Sequence, residues 1–149
     1  LGVPVTRQTG QVRTPTVGPG DREGAYVSDS GGHANIWVTR LDTGESRQLT
    51  YERDPEISVG VPVWSPDGRS IAFASSRDAP KGQNGYWLVS PDGSGLRNLR
   101  LHAGWADWSA DGRWVYYSLV PEALEGLEEA LTSLTPGVAI QAHRERCCD

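Results

Sequence analysis

Trp64-Ser65-Pro66-Asp67-Gly68-Arg69-Ser70-Ile71-Ala72-Phe73 reads as a β-hairpin. Proline presets φ at the second turn position, aspartate can bond its local backbone, and glycine takes the left-handed conformation that lets a short hairpin follow the sheet twist. The pattern recurs twice. Upstream, Val17-Gly18-Pro19-Gly20-Asp21-Arg22 leads to Ala25-Tyr26; downstream, Trp108-Ser109-Ala110-Asp111-Gly112-Arg113 leads to Tyr116-Tyr117, at spacings of 47 and 44 residues. After each of the first two hairpins comes an aromatic-aliphatic run, Asn35-Ile36-Trp37-Val38 or Gly85-Tyr86-Trp87-Leu88-Val89. A turn follows, Asp42-Thr43-Gly44-Glu45 or Pro91-Asp92-Gly93-Ser94-Gly95, and then a short polar strand, Ser46-Arg47-Gln48-Leu49-Thr50 or Leu96-Arg97-Asn98-Leu99-Arg100. Four strand signals separated by Gly, Pro, Asp and Ser clusters argue for an antiparallel meander. A four-stranded unit repeating every 40 to 50 residues or so is the signature of a propeller blade. Trp64 and Trp108 are expected to pack between blades, because one sheet cannot bury both faces alone.

The segments AYVSDSGGHANIWV, VPVWSPDGRSIAFASSRD and WADWSADGRWVYYS resemble the TolB-like (WD40-like) propeller repeat, over roughly residues 6–118. The resemblance implies a propeller, usually of six or seven blades. It also implies three kinds of parent: a periplasmic Tol-Pal component, the N-terminal gating propeller of a prolyl oligopeptidase-like serine peptidase, or the cytoplasmic sensor propeller of a bacterial transcriptional regulator. The fold transfers better than the function, since propellers host unrelated activities.

The expected fold class is all-β, a partial β-propeller of about two and a half four-stranded antiparallel blades with a short C-terminal helix. Residues 1–14 read as the end of a preceding blade, with Val5-Thr6-Arg7-Gln8 matching the outer strand at Arg47-Gln48; residues 15–50 and 61–100 are blades, and 103–119 a partial blade. A closed ring usually needs at least about four blades, so the chain is expected to be a piece of a larger propeller, prone to association through open edges. Between Pro121 and Pro136 the leucines fall at steps of three and four, which predicts one amphipathic helix. Two explanations of residues 121–149 stay open: a helical insertion or cap, or a tail not native to the propeller.

Composition excludes several classes. The formal charge of −5 and the scatter of the basic residues, all but one of the fourteen being arginine, argue against nucleic-acid binding. No apolar stretch approaches the roughly 18 residues that a membrane helix needs. The two cysteines, Cys147 and Cys148, are adjacent and have no internal partner. Ser28, Asp29 and His33 lie too close together on one strand end and turn to form a triad. The chain also lacks a G-x-S-x-G elbow, an H-E-x-x-H pair and a Walker loop. Asp67, Asp92 and Asp111 sit in turns without a calcium ladder, so backbone bonding is their expected role. No catalytic residue, cofactor or metal site is expected.

A non-catalytic interaction scaffold remains, with a protein or peptide as partner and ring closure between copies as a further form of association. Its contact residues are expected on the long connections Tyr51 to Gly60 and Arg77 to Gly85. Arg53, Asp54, Arg77 and Asp78 are the candidates.

Overall fold

The computed structural model describes residues 9–101, 105–118 and 141–145, and every regular element among them is a β-strand. The first sheet consists of β1 (Val12–Val17), β2 (Glu23–Ser28), β3 (Asn35–Arg40) and β4 (Ser46–Gln48), and the second of β5 (Val59–Trp64), β6 (Ile71–Ser75), β7 (Gly85–Val89) and β8 (Arg97–Asn98). Both are antiparallel meanders with neighbours in chain order. A third sheet holds β9 (Trp105–Trp108), β10 (Trp114–Ser118) and β11 (Gln141–Glu145) in the order β11-β10-β9. The architecture is that of consecutive propeller blades.

The quoted hairpin forms as its residues require. The Ser65 hydroxyl donates to Asp67 Oδ1 at 2.6 Å, the Arg69 amide donates to the same oxygen at 3.0 Å, and the Gly68 amide closes on the Ser65 carbonyl at 2.9 Å. Gly68 has φ of +71°, which disfavours any side chain there. The Ser65 hydroxyl, followed by the Arg69 amide, holds the Asp67 carboxyl below its ordinary value. Ser109, Asp111 and Gly112 repeat the arrangement in the third hairpin. The Asp92 carboxylate likewise accepts from the amide and hydroxyl of Ser94. Asp67 and Asp92 thus bond the local backbone, whereas Asp111 accepts from the Ser109 hydroxyl and pairs with Arg113.

Strand periodicity divides the interior into two cores. Ile71 and Phe73 on β6, with Trp87 and Val89 on β7, face the first sheet and pack with Ala25, Val27, Ile36, Val38, Leu49 and Trp64. The alternate residues, Ala72, Tyr86 and Leu88, turn the other way and pack with Leu99, Leu101, Ala106 and Trp108. Each seam therefore has its own apolar filling, and the tryptophan that precedes the hairpin lies in it. At the first seam the fit is close: a Cβ on Gly18 would stand 2.9 Å from Trp64 Cδ2.

The innermost strands share a feature that the sequence reading did not single out. The β1–β2 register shifts between Arg13 and Thr16, and the β5–β6 register shifts between Gly60 and Val63. Each shift contains an X-Pro pair whose first residue has positive φ, Thr14 at +48° and Val61 at +34°. Two residues oppose one across the ladder, and a bulge is one of the few places where a strand accepts proline. The readable signal was Pro15 and Pro62 at equivalent repeat positions.

Three boundaries bear on the sequence expectations. β1 begins at Val12, inside the 1–14 stretch read as the end of a preceding blade. Residues 5–8 and the helix expected between Pro121 and Pro136 lie outside the described residues. Within the segment expected to be helical or foreign, Gln141–Glu145 pairs along β10, with Tyr117 opposite Ala142 and Tyr116 opposite His143. The third sheet thus gains a third strand beyond the two that the sequence showed.

Candidate partner-binding surface

In an antiparallel meander the first and third turns of each sheet lie at one end, and the second turn and the onward linker at the other. All four candidates, Arg53, Asp54, Arg77 and Asp78, fall at this second end, on the linker from β4 to β5 and the β6–β7 loop. Asn35 anchors the linker. Its side chain is 1% exposed, and it donates to the carbonyls of His33 and Glu52, both at 3.1 Å. Its Oδ1 accepts from the Thr50 hydroxyl at 2.9 Å and the Glu52 amide at 2.6 Å. All four hydrogen-bonding sites of the amide are thereby used.

Glu52 carries this anchoring across the seam. One carboxylate oxygen accepts from the amides of Arg53 (2.8 Å) and Asp54 (3.1 Å). The other accepts from Arg77 Nε at 2.8 Å and Nη2 at 2.5 Å. The Arg77 guanidinium also sits over Trp87, 5.3 Å from the ring centroid, a cation–π contact. Burial is the largest single influence on the Glu52 carboxyl and opposes ionisation. The donors from Asp54, Arg77 and Arg53 together outweigh it and hold the group below the usual glutamate value.

The linker is fixed at its far end as well. Ser58 donates its amide to Ser76 Oγ at 2.9 Å and its hydroxyl to Asn84 Oδ1 at 3.1 Å, and its carbonyl accepts from the Ser76 amide at 3.1 Å. Between the anchors, Asp54-Pro55-Glu56-Ile57 makes a turn. Asp54 Oδ1 accepts from the Glu56 amide at 2.9 Å, and its carbonyl accepts from Ile57 at 3.1 Å. Asp followed by Pro is the favoured opening of a type I turn.

The four candidates consequently differ in role. Arg53, Asp54 and Asp78 are exposed, and the Arg53 side chain makes no hydrogen bond or ion pair among the described residues. Arg77 is occupied by Glu52 and Trp87. Beside them stands Tyr51, 69% exposed, its hydroxyl 3.3 Å from the Gln48 carbonyl. Glu52 and Asn35 escaped the sequence reading because Glu52 meets Arg77 only across the inter-sheet seam and Asn35 resembles an ordinary strand-start residue.

The hairpin end of the same seam is built differently. A cleft of about 730 Å³ opens between the first two sheets, lined by Pro19, Arg22, Arg40, Trp64 and Gly68 among others. Arg47 bridges the sheets by donating to the Pro91 carbonyl and to Glu23, each at 2.8 Å, while Arg40 pairs with Asp42 at the surface.

Two of the residues considered for hydrolysis, Ser28 and Asp29, are otherwise engaged. Ser28 is buried and bonded to Ser30, whose hydroxyl accepts from the Gly10 amide; Asp29 accepts from the Gln11 amide at 2.7 Å. They fasten the chain as it enters β1. No group of three His, Cys, Asp or Glu side chains among the described residues could hold a metal ion, and no described helix is long and apolar enough to cross a membrane. Cys147 and Cys148 lie outside the described residues.

No family model matches the chain. The uncharacterized peptidase YuxL of Bacillus subtilis is 31% identical over 110 residues, a match covering 68% of this chain and 16% of that protein. The Tol-Pal system protein TolB of Syntrophus aciditrophicus is 40% identical over 55 residues, covering 37% of this chain and 12% of that one. Among solved structures, TolB from Agrobacterium tumefaciens superposes with a TM-score of 0.59 at 27% identity, over 76% of this chain and 40% of the other. The chain spans less than half the length of each of these relatives. With its repeated Ser-x-Asp-Gly hairpins, consecutive antiparallel blades and TolB relatives in both sequence and structure, this chain belongs to the TolB-like β-propeller family.

Proposed function

We propose that the chain is a non-catalytic protein-interaction scaffold that presents residues 51–58 and 76–84 to a protein or peptide partner. The observation that carries this reading is the linker fixed at both ends, by Asn35 and Glu52 on one side and Ser58 on the other, with Tyr51, Arg53 and Asp54 projecting between. A loop ordered before binding loses less entropy on association. Tyrosine and arginine are the side chains most often responsible for binding energy at interfaces. Arg53, Asp54 and Asp78 supply contacts in this reading, and Arg77 positions the loop through Glu52.

The test is selection of binding peptides from a displayed random library on the immobilised chain, followed by affinity measurement with Tyr51→Ala and Arg53→Ala. The expected result is a loss of about tenfold or more for each variant, with melting unchanged. Binders indifferent to both substitutions would place the surface elsewhere, and turnover of any selected peptide would overturn the non-catalytic reading.

A second reading, the gating propeller of a prolyl oligopeptidase-like peptidase, is favoured by the YuxL match. A hydrolase domain encoded in the same parent gene would support it.

A further inference from the structure

The partner surface at the linker end leaves the cleft at the hairpin end of the same seam unused. Every residue that lines this cleft is described, and its walls come from two sheets. The β1–β2 turn supplies Pro19 and Asp21, and the β5–β6 turn supplies Asp67 and Gly68. The turns abut, since a Cβ on Gly68 would stand 3.6 Å from Pro19 Cγ. Trp64, packed on Gly18, adds an aromatic ring to the lining, and its indole N–H has no hydrogen-bond partner among the described residues. At about 730 Å³ the cleft has the size of a small-ligand site.

Charge decides what fits there. Two ion pairs in the lining, Arg40 with Asp42 and Arg47 with Glu23, neutralise themselves. Three charged side chains are left over, Asp21, Asp67 and Arg22. The Asp67 carboxylate accepts from the Ser65 hydroxyl and the Arg69 amide of its own turn but makes no ion pair among the described residues. The Asp21 carboxylate and the Arg22 guanidinium make neither a hydrogen bond nor an ion pair among them. Two carboxylates without a cation therefore outnumber one guanidinium, and the formal charge of −5 on the whole chain draws cations toward it.

The linker end of the seam shows how such a place is filled. There the Arg77 guanidinium lies over Trp87 and donates to Glu52 of the neighbouring sheet. The hairpin end has a ring and a carboxylate from each sheet, with no guanidinium bound between them. We propose that this cleft takes an arginine side chain of a partner peptide, its stem against Pro19 and Trp64 and its guanidinium shared between Asp21 and Asp67. A peptide also brings carbonyl oxygens, acceptors of the kind that the unused indole N–H requires. The site is separate from the linker-end surface and does not depend on it.

The experiment titrates acetyl-Gly-Arg-Gly-amide into the full chain at low salt, followed by amide and indole nuclear magnetic resonance. The citrulline tripeptide, equal in shape and uncharged, is the reference. Saturable shifts are expected at residues 18–23 and 65–68 and at the Trp64 indole N–H. Asp21 has φ of +53°, which asparagine also tolerates, so Asp21→Asn should keep the melting temperature and weaken binding about fivefold. Arg22→Gln removes the competing cation and should tighten binding about twofold. Absence of saturable shifts, equal binding of the citrulline peptide, or an affinity unmoved by Asp21→Asn would each overturn the proposal. So would a glutamate tripeptide that binds better and is weakened by Arg22→Gln, which would make the cleft an anion site. The two surfaces fail separately: Tyr51→Ala and Arg53→Ala should leave the arginine peptide bound, and Asp21→Asn should leave peptides selected through Tyr51 and Arg53 bound.

Discussion

The two ends of the seam between the first and second sheets join the same pair of sheets by different physics. At the linker end a buried amide, a mostly buried carboxylate and an arginine stacked on an indole form one connected polar chain from β3 to β7. At the hairpin end, an aromatic ring pressed on a glycine underlies an open cleft rimmed by charged side chains. A polar network out of water is costly to leave incomplete, so it specifies geometry. Surface ion pairs specify little. The loop end is therefore suited to presenting a surface of fixed shape, and the hairpin end to supplying apolar cohesion.

That contrast is broken most severely by Trp64→Ala. The ring is 9% exposed and joins the first core, so its loss is expected to cost about 3–5 kcal/mol, a large share of the stability of any small domain. Urea titration followed by the remaining tryptophans checks it. Trp64→Phe keeps most of the apolar contact and should recover more than half of the loss. An equally severe Phe variant would mean that the indole shape, not its area, closes the seam.

Asn35→Ala comes next, at about 2–3 kcal/mol, because Thr50 and both backbone groups of Glu52 lose their partner together. Hydrogen exchange should then show residues 51–58 opening before β2 and β3 do. Uniform loss of protection would show that the linker is not separately anchored. The second sheet supplies an internal control. Gly85 stands at the position of Asn35, and the Tyr86 amide bonds the Leu101 carbonyl where the Ile36 amide uses the Thr50 hydroxyl. The repeat thus keeps the strand amide bonded, through a backbone carbonyl where the first sheet uses a side-chain hydroxyl, and dispenses with the side-chain anchor where the following linker is shorter.

This control also shows how much was legible from sequence. The hairpins, the strand order and the seam tryptophans could be read because turn chemistry and period-two burial are local, and their residues stand within a few positions of one another. Asn35 and Glu52 could not, since their partners stand 15 to 25 residues away, in Glu52's case on another sheet. β11 was hidden for a related reason: Gln141-Ala142-His143-Arg144-Glu145 lacks the aromatic run of Tyr86-Trp87-Leu88, and only its pairing with β10 marks it as a strand. Arg77 was singled out from its place in a long loop, but its engagement with Glu52 and Trp87 depends on the seam and could not be read there.

Glu52→Gln sharpens the comparison through pH. The folded carboxyl ionises below its ordinary value, so its contribution is fully present above the unfolded-chain pKa of about 4.3 and fades as pH falls through the folded value. The variant should be less stable than the parent by about 1 kcal/mol at neutral pH, with the gap steady down to about pH 5 and closing below about pH 4. Urea midpoints across this range read it directly. A gap that persists at low pH would assign the loss to packing and leave the charge without a role.

The smallest effect is expected from the counterpart at the hairpin end. Arg40 and Asp42 make a two-pronged contact, Nε to Oδ1 at 3.2 Å and Nη2 to Oδ2 at 2.8 Å, geometrically as good as the Arg77–Glu52 pair. Their side chains are 49% and 62% exposed, against 32% and 11% for Arg77 and Glu52. If geometry decided the strength of an ion pair, Asp42→Asn and Glu52→Gln would destabilise the chain alike. Water competes for the exposed pair in the unfolded and folded chain almost equally, and salt screens it, so Asp42→Asn should leave the thermal midpoint unchanged at low and at high ionic strength. A measurable, salt-sensitive drop would show that the cleft shields this pair from solvent and that the two ends of the seam are electrostatically closer than their burial indicates.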